Sequence, residues 1–154
     1  MFSDNGIEVS FFKDCKTGNM DARAVTSGVY MMGLKIKGIN DVDGTNPLPL
    51  YIGESVYMAK RCGEHLYTLS KTPAYFGLTP ENMTDNDLVL CFDVLVSMPD
   101  NNKRWDRERR SKEKAIIMDS NTLTQLPTSD RQFSKFEDRV KNVQAKINEL
   151  RDSV

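Results

Sequence analysis

The sequence predicts a mixed α/β (α+β) fold: a small three-stranded, mainly antiparallel sheet flanked by helices, followed by a C-terminal heptad-patterned helix. Three observations predict it. Residues 28–37 alternate at period two, with Tyr30, Met32, Leu34 and Ile36 on one face. Leu88 to Met98 is an apolar run closed by Pro99, the pattern of a strand central in its sheet. Phe133, Val140, Ile147 and Val154 repeat every seven residues, with Phe136, Val143 and Leu150 interleaved as an a/d seam.

Size and composition narrow the class. A chain of 154 residues suits one compact domain and can bury a core without disulfides. Hydrophobic residues at 39% and charged residues at 28% fit a globular protein and argue against wholesale disorder or a collagen-like chain. No apolar run has the length of a transmembrane helix, and Met1–Gly6 lacks a signal-peptide pattern, so the expectation is a cytoplasmic, intracellular protein with no membrane partner. Cys15, Cys62 and Cys91 stand far apart and read as free thiols. The single histidine excludes a His-rich metal site. The net charge of −1 gives no overall attraction to nucleic acid, and a local basic patch is needed for that.

Taken in order, residues 1–26 form an N-terminal extension in which Ile7–Phe12 is a possible extra strand. The strand at 28–37 is followed by turn-rich residues 38–47 and a second apolar run, Leu48 to Ile52, making a long-looped hairpin. Asp41-x-Asp43-Gly44 hints at a calcium loop, but its twelfth position is Ile52 rather than Glu, which rejects it. Ser55 is a candidate N-cap for a helix over 56–70, with Ala59, Cys62, Leu66 and Leu69 as its buried stripe and Tyr57, Arg61 and His65 along the edge. Residues 72–86 read as a loop. A second helix spans 100–119, with Trp105, the Arg109 stem and Ile116 on its half-apolar side and Ile117 further round. Leu123 to Pro127 is a connector. Ser129 or Asp130 caps the last helix. The organisation is therefore an extension at 1–26, a domain at 27–127 and an amphipathic helix at 128–154.

Chemistry concentrates in two places. Tyr30 and Tyr51 on paired strands, with Arg61 and His65 one turn apart on the next helix, can converge on one side of the sheet. A guanidinium, an imidazole and two phenols suit a phosphodiester. Residues 103–114 hold seven basic groups against three acids, in a chain of net charge −1. Lys103, Arg104, Arg107 and Arg110, with Lys60 on the first helix, are candidate nucleic-acid-binding residues. The bland alternative is a solvated face laced by Asp106–Arg110 and Glu108–Lys112 pairs. Glu113 lies at the margin of the apolar side with Ile117 at i+4. It is either a metal ligand or a surface carboxylate near Arg109.

These residues resemble a known signature. Gly28-Val29-Tyr30, then Tyr51-Ile52-Gly53, Arg61 ten residues and His65 fourteen residues after Tyr51, and Glu113 followed by Ile117 resemble the GIY-YIG nuclease superfamily, over about 90 of the 154 residues. The order of elements from 28 to 119 is also similar. The match departs at the long Tyr30–Tyr51 loop, at Glu54 (where many members have Lys or Ser) and at Tyr57 (frequently Asn). A polar residue after the catalytic helix has two candidates, Asn121 and Gln125. The resemblance implies a metal-dependent DNA endonuclease leaving 5′-phosphate and 3′-hydroxyl ends, of restriction, phage or mobile-element, or repair type. Glu113 would hold Mg²⁺, with Mn²⁺ as a substitute. Arg61 would bind non-bridging oxygens, Tyr30 would orient or deprotonate water with nearby cations lowering its pKa, and His65 and Tyr51 would position these groups. The alternative is a non-catalytic nucleic-acid-binding or protein-interaction module on the same fold, or a coiled-coil protein with no nucleic-acid role.

The C-terminal seam has two readings. Phe133, Phe136, Val140, Val143, Ile147 and Leu150 either dock on the domain or pair with a second copy: Phe at two seam positions favours docking on a globular surface, and the aliphatic members suit self-association into a possible homodimer.

Overall fold

In the computed structural model the described residues are 6–14, 16–41, 45–98, 103–125 and 134–153. The elements run β1 (Glu8–Phe11), a 3₁₀ turn (Ala22–Val25), β2 (Gly28–Ile36), β3 (Leu48–Ser55), α1 (Met58–Lys71), a 3₁₀ turn (Pro73–Phe76), α2 (Pro80–Met83), β4 (Leu88–Ser97), α3 (Lys103–Ser120) and α4 (Phe136–Asp152). The fold is mixed α/β, as its patterning predicts, but the sheet has four strands rather than three. The extension supplies the fourth: β1 pairs parallel to β4, and the order is β1-β4-β2-β3. β2 runs antiparallel to both neighbours, so β2 and β4 are the central strands.

Alternation along β2 divides the sheet into two faces. Tyr30, Met32, Leu34 and Ile36 join Leu88, Leu90 and Phe92 from β4 in the main core. Met58, Cys62 and Leu69 of α1 and Val143 and Ile147 of α4 complete it. On the other face Val29, Ile52 and Ile117 form a second, smaller cluster beneath α3. Both strand pairs of β2 carry a register shift, one at Val29/Tyr30 and one at Met32/Gly33. Between them, Tyr30 lies opposite Gly53 and Met32 opposite Tyr51.

Several boundaries differ from the sequence reading for identifiable reasons. α1 begins at Met58, and Ser55 does not cap it: its hydroxyl bonds the amide and the carbonyl of Tyr57 instead. The buried stripe of α1 is Met58, Cys62, His65 and Leu69, so His65 lies on the core face and not along the edge. The stretch at 72–86 contains structure. Thr79 and Asn82 form a reciprocal capping box at the start of α2, with Pro80 at its first position. α3 ends at Ser120, followed by Asn121 at φ 50°, a left-handed position that asparagine tolerates. α4 starts at Phe136, with Lys135 at the cap; Ser129, Asp130 and Phe133 lie outside the described residues.

The seam of α4 docks on the chain itself. Val143 and Ile147 are buried in the main core, and Val140 and Leu150 are half-buried. The third buried residue is Arg139, whose guanidinium lies 4.5 Å from the Phe136 ring centre and 5.1 Å from that of Tyr75. It donates to the carbonyls of Ser134 and Tyr75. Phe136 itself is 47% exposed. The stripe is thus rotated towards Arg139, and pairing through Val143 and Ile147 with a second copy would first require α4 to leave the core.

The docked helix depends on Gly77, at φ 77°, where an added Cβ would meet the Val143 side chain and the Arg139 carbonyl. Gly77→Ala combines left-handed strain with a clash against α4. A loss of about 2–4 kcal/mol is expected in a urea melt.

Candidate functional site

The site begins with the register of β2 and β3. Gly53 opposite Tyr30 has no side chain, and the Tyr30 phenol takes that space: a Cβ on Gly53 would meet Tyr30 Oη and Cζ, and Tyr51 Cε1 at 2.8 Å. The glycine of the Tyr51-Ile52-Gly53 motif is therefore needed for close approach between side chains. Tyr51 lies diagonally across, with ring centres 6.2 Å apart.

α1 brings His65 to the same spot. Its Nε2 is 2.7 Å from Tyr30 Oη, and its ring packs edge-on against Tyr51 at 5.1 Å. Phe76 closes the wall, 5.3 Å from His65 and 5.7 Å from Tyr51. Tyr30 is 0% exposed and His65 5% exposed. The two phenols act on each other electrostatically.

Burial governs the protonation of this cluster. It pushes the Tyr30 phenol far above the ordinary range, and the opposing charge of Arg61 does not compensate. The Arg61 cation lowers Tyr30, as the sequence leads one to expect, but burial outweighs it and the net shift is upward. Tyr30 is a neutral hydrogen-bonding phenol at pH 7. Burial and the Glu113 charge push Tyr51 up to about 12. Burial, then the Arg61 charge, lower His65 to about 4, so the imidazole is neutral. A pH-dependent stability follows. Between about pH 6.5 and about 4 the unfolded chain binds a proton that folded His65 refuses. Stability is therefore intact above 6.5 and falls by up to about 3 kcal/mol as pH drops through that window. Urea melts at pH 7 and 4.5 check this, and His65→Gln should remove that share of the difference.

Arg61 sits one turn before His65 at the half-exposed rim, with Nη1 2.8 Å from Glu64 Oε2. Its charge acts on Tyr30, Tyr51 and His65. Glu113 comes from α3, is 1% exposed, and acts electrostatically on Tyr51. The structure thus joins Tyr30, Tyr51 and His65 by direct contact, and links Arg61 and Glu113 to them through charge. Glu113 is buried, which overturns its reading as a surface carboxylate.

The burial of Glu113 follows from a stripe that hydropathy misses. Arg109, Glu113 and Ile117, at i, i+4 and i+8, all face inward. Arg109 is held by two acids: Nε bonds Glu54 Oε2 at 2.5 Å and Nη2 bonds Asp106 Oδ1 at 2.6 Å. Arg110 Nε lies 3.9 Å from the other Glu54 oxygen. Asp106 thus pairs with Arg109, the residue three on, which the expected Asp106–Arg110 pairing did not include. The signal for this clamp was the unusual Glu54 directly after the Tyr-Ile-Gly motif, on the strand that α3 crosses.

Gln125 is the second residue whose role emerges only in three dimensions. Its side-chain amide accepts from Ile52 N at 2.9 Å and donates to Ile52 O at 2.8 Å, while Thr124 bonds the Leu50 carbonyl. Residues 122–125 thereby cover the outer edge of β3 just beside Tyr51. Asn121 is exposed. Of the two candidates after the helix, Gln125 is the one joined to the motif strand.

Lys60, Arg107 and Arg110 are exposed. The side chains of Lys103 and Arg104 lie outside the described residues. Arg107, Arg110 and Lys114 line a groove of about 480 Å³ with Asp106 and Ser111. Among the described residues, no three His, Cys, Asp or Glu side chains gather into a metal cage. One buried carboxylate beside a phenol is a donor set that fits Mg²⁺, which keeps most of its waters, and does not fit Zn²⁺. Among the described residues no helix is long and apolar enough to cross a membrane.

No family model, no curated protein and no solved structure matches the chain.

Proposed function

We propose that the chain is a metal-dependent DNA endonuclease of the GIY-YIG type, hydrolysing phosphodiesters to 5′-phosphate and 3′-hydroxyl ends. The observation that carries this reading is the Tyr30–His65 hydrogen bond of 2.7 Å, packed against Tyr51 in space that only a glycine at 53 leaves open. Five motif residues from four elements share one electrostatic environment.

In this reading Glu113 holds Mg²⁺, which when bound stabilises charge on the scissile phosphate and the leaving oxygen. Arg61 swings from Glu64 to non-bridging oxygens, where negative charge concentrates. Neutral His65 and Tyr30 form a hydrogen-bonded pair that orients Tyr51. Tyr51, with the least raised of the two phenols, positions the attacking water. The groove on α3 tracks the DNA backbone. Changing Arg107, Arg110 and Lys114 together to Gln should flatten the slope of log affinity against log salt by about 3, since each phosphate contact contributes about 0.9. Fluorescence anisotropy of a labelled duplex across salt concentrations measures this.

The test of the reading is incubation of the full chain with plasmid, linear duplex, single-stranded and branched DNA, in Mg²⁺ or EDTA, with product ends assayed by ligation. Metal-dependent cutting with ligatable ends supports it. One observation favours the second reading, a non-catalytic nucleic-acid-binding module: Tyr30 and Glu113 are both fully buried. Salt-sensitive DNA binding with no cutting on any substrate, Mn²⁺ included, would select that module.

A further inference from the structure

We propose that Arg109 binds the substrate, with Nη1 held ready for an anionic phosphodiester oxygen beside Glu113; this rests on the nuclease reading above. Arg109 is 3% exposed, and its guanidinium is fixed on two sides, by Glu54 at Nε and by Asp106 at Nη2. Its third nitrogen, Nη1, is buried and has no hydrogen-bond partner among the described residues. A buried guanidinium nitrogen without an acceptor is costly, and native chains retain such groups where something else completes them.

Position says what completes it. Arg109 lies one helical turn before Glu113 on the same inward stripe, and its anchor Glu54 adjoins Gly53, across from Tyr30. The open donor therefore sits within a turn of the candidate metal ligand. Arg110 is 3.9 Å from Glu54, and with Arg107 and Lys114 it gives this end of α3 a cationic surplus over Asp106. The two carboxylates fix the fork in place, so Nη1 itself needs no rotation to meet its ligand once the buried position is opened by the incoming substrate, and fixed donors of this kind stabilise developing negative charge. A water molecule filling the same position would have no effect on rate.

The test uses the full chain with Arg109→Met and Arg109→Lys, each first checked for folding by circular dichroism. Single-turnover cleavage of a duplex then separates rate from half-saturating concentration. The expected result is a rate about 10²–10³-fold lower for Arg109→Met, with half-saturation shifted less than about tenfold. Lysine keeps the charge but not the fork, so Arg109→Lys recovers only part of the loss. A folded Arg109→Met cleaving at the wild-type rate overturns the proposal. If neither variant folds, the wild-type guanidinium ¹⁵N signals are followed as the same duplex is added in EDTA. A shifted, exchange-protected buried arginine supports the proposal, and unchanged buried signals overturn it. A wild-type chain that cleaves nothing removes the nuclease reading itself, which distinguishes that failure from this one.

Discussion

Gly53→Ala should lower stability by about 4 kcal/mol and abolish any activity of the site. The added methyl has nowhere to go. It would meet the Tyr30 phenol on one side and Tyr51 Cε1 at 2.8 Å on the other. Tyr30 is wholly buried, between β3, α1 and the aromatic wall, so it cannot retreat without opening the core. Overpacking a filled core costs about 1–3 kcal/mol. Pushing the phenol off His65 leaves buried polar atoms without partners, which costs about 1–3 kcal/mol more. In a chain of this length that amounts to a fall in Tm of roughly 10 °C. A displacement of about 1 Å at reacting groups can itself remove two orders of magnitude in rate. Gly63→Ala is the contrast. Gly63 lies in α1 with nothing within 4 Å of an added Cβ, so alanine there should stabilise by about 0.5–1 kcal/mol through helix propensity. Equal behaviour of the two variants would show that the Tyr30–Gly53 contact is not tight.

Tyr30→Phe should cost about 1–3 kcal/mol and reduce cleavage by about 10²–10³-fold. The ring stays in place and the core remains filled, so the change isolates one hydroxyl. That hydroxyl lies 2.7 Å from His65 Nε2, and the ring packs 6.2 Å from that of Tyr51. Without it the buried imidazole loses its partner, and the His65 ring that packs on Tyr51 loses the bond that holds it. Since burial keeps Tyr30 protonated, its contribution is positional, and the lost rate should be the same at pH 7 and pH 9. A loss that grew with pH would instead mark Tyr30 as a base. Thermal melts and single-turnover cleavage at the two pH values measure both effects.

Much of this arrangement was legible in the sequence because its cues are local. Period-two alternation places Tyr30 on the core face, and the spacing from Tyr51 to Arg61 and His65 is covered by a single strand–helix connection. What was not legible depends on distant partners. β1 is four residues long, and its parallel pairing with β4 bridges some eighty positions, which no local pattern encodes. The i, i+4, i+8 spacing of Tyr57, Arg61 and His65 predicts an edge stripe, but His65 lies on the core face, where Tyr30 Oη satisfies its ring. The inward face of α3 is only partly legible for a related reason. Two of the three buried residues among those described in it are charged, so apolar periodicity points to the Arg109 stem and Ile116 when the buried residues are Arg109, Glu113 and Ile117. Glu54 makes that burial tolerable, from a strand more than fifty residues earlier. In α4 the heptad marks the helix but not its rotation, since Arg139 between Tyr75 and Phe136 shares the docking stripe with Val143 and Ile147.

We propose that Tyr30, Tyr51, Arg61, His65 and Glu113 form one metal-dependent hydrolytic site. Its most direct test is single-turnover DNA cleavage by the wild type and by Glu113→Gln, a near-isosteric change that removes the carboxylate charge, across a Mg²⁺ titration with EDTA as zero. A metal-dependent site should give cleavage that rises with Mg²⁺ and vanishes in EDTA, and a folded Glu113→Gln slower by at least about 10³-fold at every metal concentration. Cleavage by Glu113→Gln at the wild-type rate, or undiminished cleavage by the wild type in EDTA, would contradict it.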